Sequence, residues 1–347
     1  MPLRCLLPAG LEGILVVGLG ASAQRDAMTL IRMQPDLQNQ GYAAGFIAAA
    51  SARAGGRTRA IDVKAIQKKL VAEGVLDDRV AADTDSYPIS PVEVERAVSA
   101  VGRRDGGDHL RALAVVLAHP REALPPLRAA YECSGGAERL NYARVLGVLG
   151  DPLGGSALAA AIDAKDGWDK GSALTSQRNT GNTFSELDRL VIALGFSRAP
   201  QRLDCLLRKL ARLQPADEMS HYKAISLALW DDRPRAAAAP LARLLEQPGF
   251  TGHATVEPVV REKATGGQIV RPADRLLTAM EEERAGKANL NRAMKELMVA
   301  AMLFRCGDSQ RRGETILRQY AEDVHGHLAG YARQMLGSAN ESGAAND

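Results

Sequence analysis

A chain of 347 residues with 46% hydrophobic side chains has room for two domains and enough apolar content for a core, while 4% aromatics and abundant Ala and Leu favour packed helices over sheets. The formal charge of +3 is small and its Lys and Arg are interspersed with Asp and Glu, which together with the few aromatics argues against nucleic acid as a partner. Cys5, Cys133, Cys205 and Cys306 are too far apart for a zinc or iron–sulfur motif and too few for a disulfide framework. No stretch has the length of a membrane span or the make-up of an export signal. The chain therefore reads as soluble, and on these residues alone as cytoplasmic rather than exported.

The first element is the run Gly13-Ile-Leu-Val-Val-Gly18-Leu-Gly20-Ala-Ser22. β-Branched residues bounded by glycines predict a short strand over residues 14–17 that ends in a glycine turn. So early a strand has almost no preceding chain to pair with, and the segment reads as the end of a fold that begins elsewhere. Pro35 then suits the first turn of a helix, because its missing N–H would be unpaired there anyway. The helix is expected over residues 36–50, with Gly41, Gly45 and Ala49 recurring at i, i+4, i+8 on one nearly bare face. Such a face allows close approach of a sheet or a ligand. After a Gly/Arg/Ser loop, Asp62 is placed to cap a helix over residues 63–73, which Gly74 would stop. Residues 78–91, including Asp85-Ser-Tyr-Pro88, read as a connector, and a domain boundary is expected near residue 90.

From Pro91 the chain repeats helix, turn, helix. The turns are Pro120, Gly150-Asp-Pro152, Ser197-Arg-Ala-Pro200, Asp231-Asp-Arg-Pro234 and Gly307-Asp308, and their prolines stop one helix and start the next. Apolar residues at three- and four-residue spacing give each helix a face that stacked neighbours would bury. The expectation for residues 91–337 is an α-solenoid of HEAT-like or armadillo-like pairs. Polar insertions at 165–183 and 250–271 would be loops on one side. Residues 338–347 read as a disordered tail. Cys133, Cys205 and Cys306 are expected to be buried packing residues, Trp168 a loop anchor and Trp230 a core residue.

Gly18-Leu-Gly20-Ala-Ser-Ala23 formally matches the G-x-G-x-x-A fingerprint of a nicotinamide dinucleotide site. A first-strand fingerprint should open into a helix and precede a second strand ending in an acidic residue, and neither Asp26 nor Asp36 ends an apolar run. The wider pattern is more specific. Pro2-Leu-Arg-Cys-Leu-Leu-Pro8, the glycine-bounded run, Ile31-Arg-Met-Gln-Pro35 and Gln40-Gly-Tyr-Ala-Ala-Gly45 together resemble the carboxyl-terminal end of FAD-dependent oxidoreductases. These are flavoproteins distantly similar to the heterodisulfide-reductase and fumarate-reductase groups. The resemblance implies a mainly α protein with a short α/β remnant of an FAD-binding fold over residues 1–90. In that family the last strand leads to a glycine turn beside FAD, and the next helix points its N-terminus at the flavin. By resemblance Gly18, Gly20 and Ser22 line the ribityl and pyrophosphate side, Gln34, Pro35 and Gln38 lie near the ring, and Gly41 lets the helix approach.

Arg32, just ahead of this helix, suits pairing with a substrate anion or the flavin; a salt bridge that merely orders the loop is the competing reading. His109, His119, His221 and His253 stand alone, and His325 and His327 do not share a helix face, so no metal site is expected. The ADP-binding fingerprint, the substrate cap and any four-cysteine cluster are absent. The resemblance thus implies a partner, the N-terminal FAD-binding region, without which FAD would be held poorly. The rival expectation is a helical-repeat interaction scaffold without catalysis, with a protein partner on the repeats.

Overall fold

The computed structural model describes residues 1–23, 25–84, 88–103, 106–171, 184–256 and 272–343. The chain divides into two compact units, Met1–Ser90 and Pro91–Asp347. The first unit contains, among its described residues, three short 3-10 turns, Leu3–Leu6, Gly18–Gly20 and Asp78–Ala81, and the helices α1 (Arg25–Met28), α2 (Gln34–Arg53) and α3 (Val63–Ala72). Pro35 stands in the first turn of α2, and Gly56 N–H donates to Ser51 O at 2.8 Å to close its far end. Asp62 caps α3 by accepting from Ala65 N–H at 3.0 Å, and Gly74 at φ 73° ends it.

Residues 14–17 do not form the expected strand, and no strand occurs among the described residues. The segment is extended, but a strand is defined by its ladder, and the described backbone bonds give it only Val16 N–H donating to Leu6 O at 2.9 Å. The α/β remnant is therefore not seen; the first unit is helices and irregular chain. Its interior is small: Leu6, Ala21 and Ile47 with Leu3, Leu15, Ile61 and Ile66 packed against them, and Leu70 of α3 is buried as well. Much apolar surface stays uncovered, including Leu11, Ile14, Val17, Leu19, Leu30, Met33 and Tyr42.

Among its described residues the second unit is built of helices joined by turns and irregular segments. It comprises α4 (Pro91–Arg103), α5 (Gly106–Ala118), α6 (Pro120–Cys133), α7 (Gly136–Val148), α8 (Gly155–Asp163), α9 (Glu186–Phe196), α10 (Arg202–Leu210), α11 (Met219–Leu229), α12 (Ala238–Leu245), α13 (Pro272–Gly307), α14 (Arg312–Ala321) and α15 (Gly326–Gly343). Helices α7, α9, α11 and α13 pack successively side by side, and α8, α10 and α12 do the same in a second row. The interior between the rows is apolar, with Leu146, Leu158, Ile162, Leu194, Leu206, Ile225 and Leu241 almost wholly buried.

The tight turns after α7, α9, α11 and α13 each contain a residue with positive φ next to the helix end, Gly150 at 81°, Arg198 at 56°, Arg233 at 47° and Gly307 at 103°, and the last turn adds Arg311 at 53°. A left-handed residue after the last helical turn reverses the chain in the least length. Gly supplies it without strain after α7 and α13, and Arg supplies it after α9 and α11.

The bases of both insertions are fixed. Lys209 Nζ donates to Lys165 O at 2.9 Å and Gly167 O at 2.7 Å, and Arg212 donates to Asp166 O. Buried Glu296 accepts from Gly252 N–H, His253 N–H and Tyr320 O–H. Residues 172–183 and 257–271 lie outside the described residues, as do 85–87 of the connector. Helix α15 runs through Gly343, so the expected tail from 338 is helical up to that point, and residues 344–347 are outside the described range. Cys205 and Cys306 are buried as expected, but Cys133 is exposed, because it ends α6 on the side away from Leu127 and Tyr131.

Candidate functional site

The glycine turn and the start of α2 come together in the first unit. Gly18 has φ 70°, a conformation that L side chains rarely adopt, and its N–H donates to Gln40 Oε1 at 3.1 Å. Gln40 Nε2 in turn donates to Ile31 O at 2.7 Å. One side chain on the second turn of α2 thus ties the glycine turn to the loop that feeds the helix. A Cβ on Gly20 would lie 2.9 Å from Val16 Cγ1, so this position also requires glycine unless Val16 moves. Ser22 N–H donates to Cys5 O at 2.7 Å, which anchors the end of the turn.

The N-terminus of α2 carries no side-chain cap: Met33 precedes it in extended conformation and offers no acceptor. Its first N–H groups and the positive end of the helix dipole face outward. Gln34, Pro35 and Gln38 are exposed there, and Asp36 contributes an acidic residue to the same turn. Gly41 and Gly45 are exposed, and no atom lies within 4 Å of where their Cβ atoms would stand. The bare face is therefore not used for packing within this unit. Arg32 is exposed and has no hydrogen-bond or ion-pair partner among the described residues, so the loop-ordering salt bridge is not formed there. Gln24 and the side chains of Arg25 and Asp26 lie outside the described residues.

Two contributions escaped the sequence reading. Gln40 sits in an ordinary polar helix turn, and nothing in its neighbours marks it as a bridge. Glu12 accepts from Thr58 N–H at 3.0 Å, Thr58 O–H at 2.9 Å and Arg59 Nη1 at 2.8 Å. These contacts, Arg59 foremost, hold its carboxyl below the usual range. They fix the loop before the glycine run to the loop after α2. Replacing Gln40 by Leu is expected to remove a hydrogen bond worth about 1 kcal/mol and to speed exchange of the Gly18 amide roughly fivefold, read by hydrogen-exchange mass spectrometry. An unchanged Gly18 rate would contradict the bridge.

The second unit contains a buried imidazole–carboxylate pair. His221 Nδ1 lies 2.6 Å from Asp188 Oδ1 and Nε2 lies 2.9 Å from Asp169 O. Both partners are acceptors, which requires N–H on both ring nitrogens and makes the ring an imidazolium. Burial alone would lower the pKa of His221, but the Asp188 carboxylate and the Asp169 carbonyl outweigh it and raise the value. Burial likewise opposes ionisation of Asp188, yet contacts from His221, Ser220 and Ser185 N–H keep its pKa low. The Trp168 ring stacks on the imidazole at 4.6 Å and so anchors the loop, with Lys209 Nζ over its other region at 5.4 Å. Trp230 is half-buried beneath the Arg305 guanidinium, 4.0 Å from the ring centre. With both nitrogens donating, His221 has no lone pair for a metal or a substrate. The cluster fixes chain segments. Among the described residues no group of His, Cys, Asp and Glu side chains is arranged to hold a metal ion, and no helix is long and apolar enough to cross a membrane.

The candidate site is thus the surface formed by the glycine turn, the loop through Arg32 and the first turns of α2. No curated protein and no solved structure matches the chain. Residues 1–70, which hold that whole surface together with most of α3, match the family model described as FAD dependent oxidoreductase.

Proposed function

We propose that residues 1–70 form the carboxyl-terminal, flavin-side wall of an FAD-dependent oxidoreductase of the kind distantly similar to heterodisulfide-reductase and fumarate-reductase flavoproteins. The observation that carries this reading is a coincidence of two findings. The family match covers a part of the chain in which many apolar side chains and a glycine face are left uncovered. A segment that ends a larger sheet would leave those groups bare until the rest of the fold lies on them.

The residues fit such a role. An uncapped helix N-terminus favours negative charge, and the left-handed glycine turn exposes backbone to a ligand that a Cβ would keep away. On this reading Gly18, Gly20 and Ser22 lie along the ribityl and pyrophosphate side. Gln34, Pro35 and Gln38 lie by the ring, Gly41 permits close approach, and Arg32 meets an anionic substrate or the flavin. Bound flavin supplies hydride or electron transfer. The ADP-binding half belongs to an N-terminal FAD-binding region outside these residues, so this chain alone holds FAD weakly. Residues 91–337 are read as a HEAT-like α-solenoid attached to that wall. Support comes from the two rows of helices and the recurring left-handed turns. The same rows favour the rival reading of an interaction scaffold without catalysis.

Hydrogen exchange on the natural protein in which these residues occur, with and without added FAD, tests the placement. Slowed exchange is expected at residues 18–22 and 34–41. Protection elsewhere but not there would overturn the assignment of the wall.

A further inference from the structure

We propose that the turn after α11 and the end of α13 form a binding site for a phosphate monoester, held by Arg233, Arg235 and Arg305. The site lies within the second unit and is independent of the flavin reading. Arg305, in the last turn of α13, lays its guanidinium on the Trp230 ring at 4.0 Å and donates Nη2 to Trp230 O at 3.1 Å. That contact fixes the group, while Nη1 keeps no hydrogen-bond partner among the described residues. Arg235 leans on the same helix end, with Cγ 3.7 Å from where a Cβ on Gly307 would stand. Arg233 lies between Trp230 and Arg235 in the chain, so one turn gathers three arginines at the end of α13. Arg233 and Arg235 are exposed, and neither side chain has a hydrogen-bond or ion-pair partner among the described residues.

Charge sets the ligand. The neighbouring carboxylates are engaged elsewhere: Asp232 pairs with Arg202, Glu246 with Arg312, and Glu314 with Arg311 and Arg318. Asp308 accepts from the N–H groups of Gly313 and Glu314 at the start of α14. Asp231 is exposed beside the arginines and has no such partner among the described residues. Burial, and after it the charge of Arg233, lowers the pKa of Arg305, while Tyr331, Cys306 and Asp231 act the other way. Three guanidinium groups against one free carboxylate leave about two positive charges, which the roughly −2 charge of a phosphate monoester at neutral pH balances. A single carboxylate would balance only half. The planar guanidinium fork also matches phosphate oxygens in pairs. Because Arg233 and Arg235 stand open to solvent, the phosphate can arrive free or carried on a side chain of a larger molecule.

The chain has two tryptophans, so the indole N–H signals of the full chain report the test: Trp230 lies in the site and Trp168 is the reference. Inorganic phosphate and a short phosphoserine peptide are titrated separately at constant ionic strength. The Trp230 signal is expected to shift saturably and the Trp168 signal to stay. Similar affinities for both probes would make free phosphate the ligand, and a tighter peptide would make it a phosphorylated side chain. Arg233→Gly should weaken binding about tenfold or more. It also relieves the left-handed φ of 47°, so the variant should melt no lower than the natural chain. Arg198→Gly is the matched control: it relieves φ 56° at the turn after α9 and should leave the affinity unchanged. Arg235→Gln, at an exposed side chain, should weaken binding as well. The proposal would be overturned by the absence of a saturable Trp230 shift, or by affinities indifferent to Arg233→Gly and Arg235→Gln. A peptide with Glu in place of phosphoserine that binds equally well would also overturn it.

Discussion

Replacing Asp188 by Ala is expected to destabilise the second unit by about 3–5 kcal/mol, because it leaves a buried imidazolium without its counter-charge. Asp188 and His221 are almost wholly excluded from solvent, so water cannot replace the lost partner. The carboxylate also forms the capping box of α9 with Ser185, and the Ala variant removes that contact as well. Replacing both residues, Asp188→Ala with His221→Leu, should recover a substantial part of the loss, since no charge is then stranded. Urea unfolding followed by circular dichroism gives the numbers. A single variant within 1 kcal/mol of the natural chain would contradict the ion-pair account.

The same pair makes stability depend on pH in both directions. The folded pKa of His221 is raised above 6.5, so its contribution is complete below 6.5 and is lost as pH rises through the folded value. The folded pKa of Asp188 is lowered below 3.8, so its contribution is present above 3.8 and is lost as pH falls through the folded value. Urea midpoints should therefore be highest between those limits. The decline on the alkaline side should vanish in the double variant. Persistence of that decline would assign it to other groups.

The second large effect is expected at the crossing of α9 and α11. A Cβ at Gly195 would lie 2.4 Å from Ala228 Cα and 2.7 Å from Ala228 O, which is backbone and cannot turn aside. Gly195→Val should force the two helices apart and cost about 3 kcal/mol, toward the upper end for overpacked cores. Gly286→Ala is the matched contrast: that glycine is exposed within α13 with no atom within 4 Å of its Cβ position. Removing a helix-interior glycine there should stabilise by about 0.5–1 kcal/mol. Thermal melting of the two variants should move in opposite directions, and equal shifts would contradict the packing described.

The helices of the second unit are legible because their signals are local. Pro120, Pro152, Pro200 and Pro234 mark turns by removing an N–H, and apolar residues three and four apart mark buried faces. The strand over residues 14–17 is not legible in the same way. β-Branched residues report fitness for a pleated surface, whereas a strand exists only where another segment supplies its ladder. The described chain supplies a single bond from Leu6. Contacts between distant residues are invisible for a related reason. His221 stands alone in sequence and meets Asp188 only because α9 and α11 lie side by side. Gln40 reaches Gly18 across 22 residues with no motif to announce it. At the candidate site the sequence pattern located the glycine turn and the Pro-started helix. The fold adds that the glycine face is open and that Arg32 has no partner among the described residues.

The central claim is that the surface around Gly18 and the start of α2 contributes to a flavin site. The most direct measurement is the bound-flavin content of the natural protein in which these residues occur, from its visible absorption and from FAD released on denaturation. The account predicts a yellow protein with FAD bound, and at least a tenfold loss of FAD affinity for Gly18→Val, with the helical unit's melting unchanged. A colourless protein that leaves the fluorescence of added FAD unaltered would contradict it.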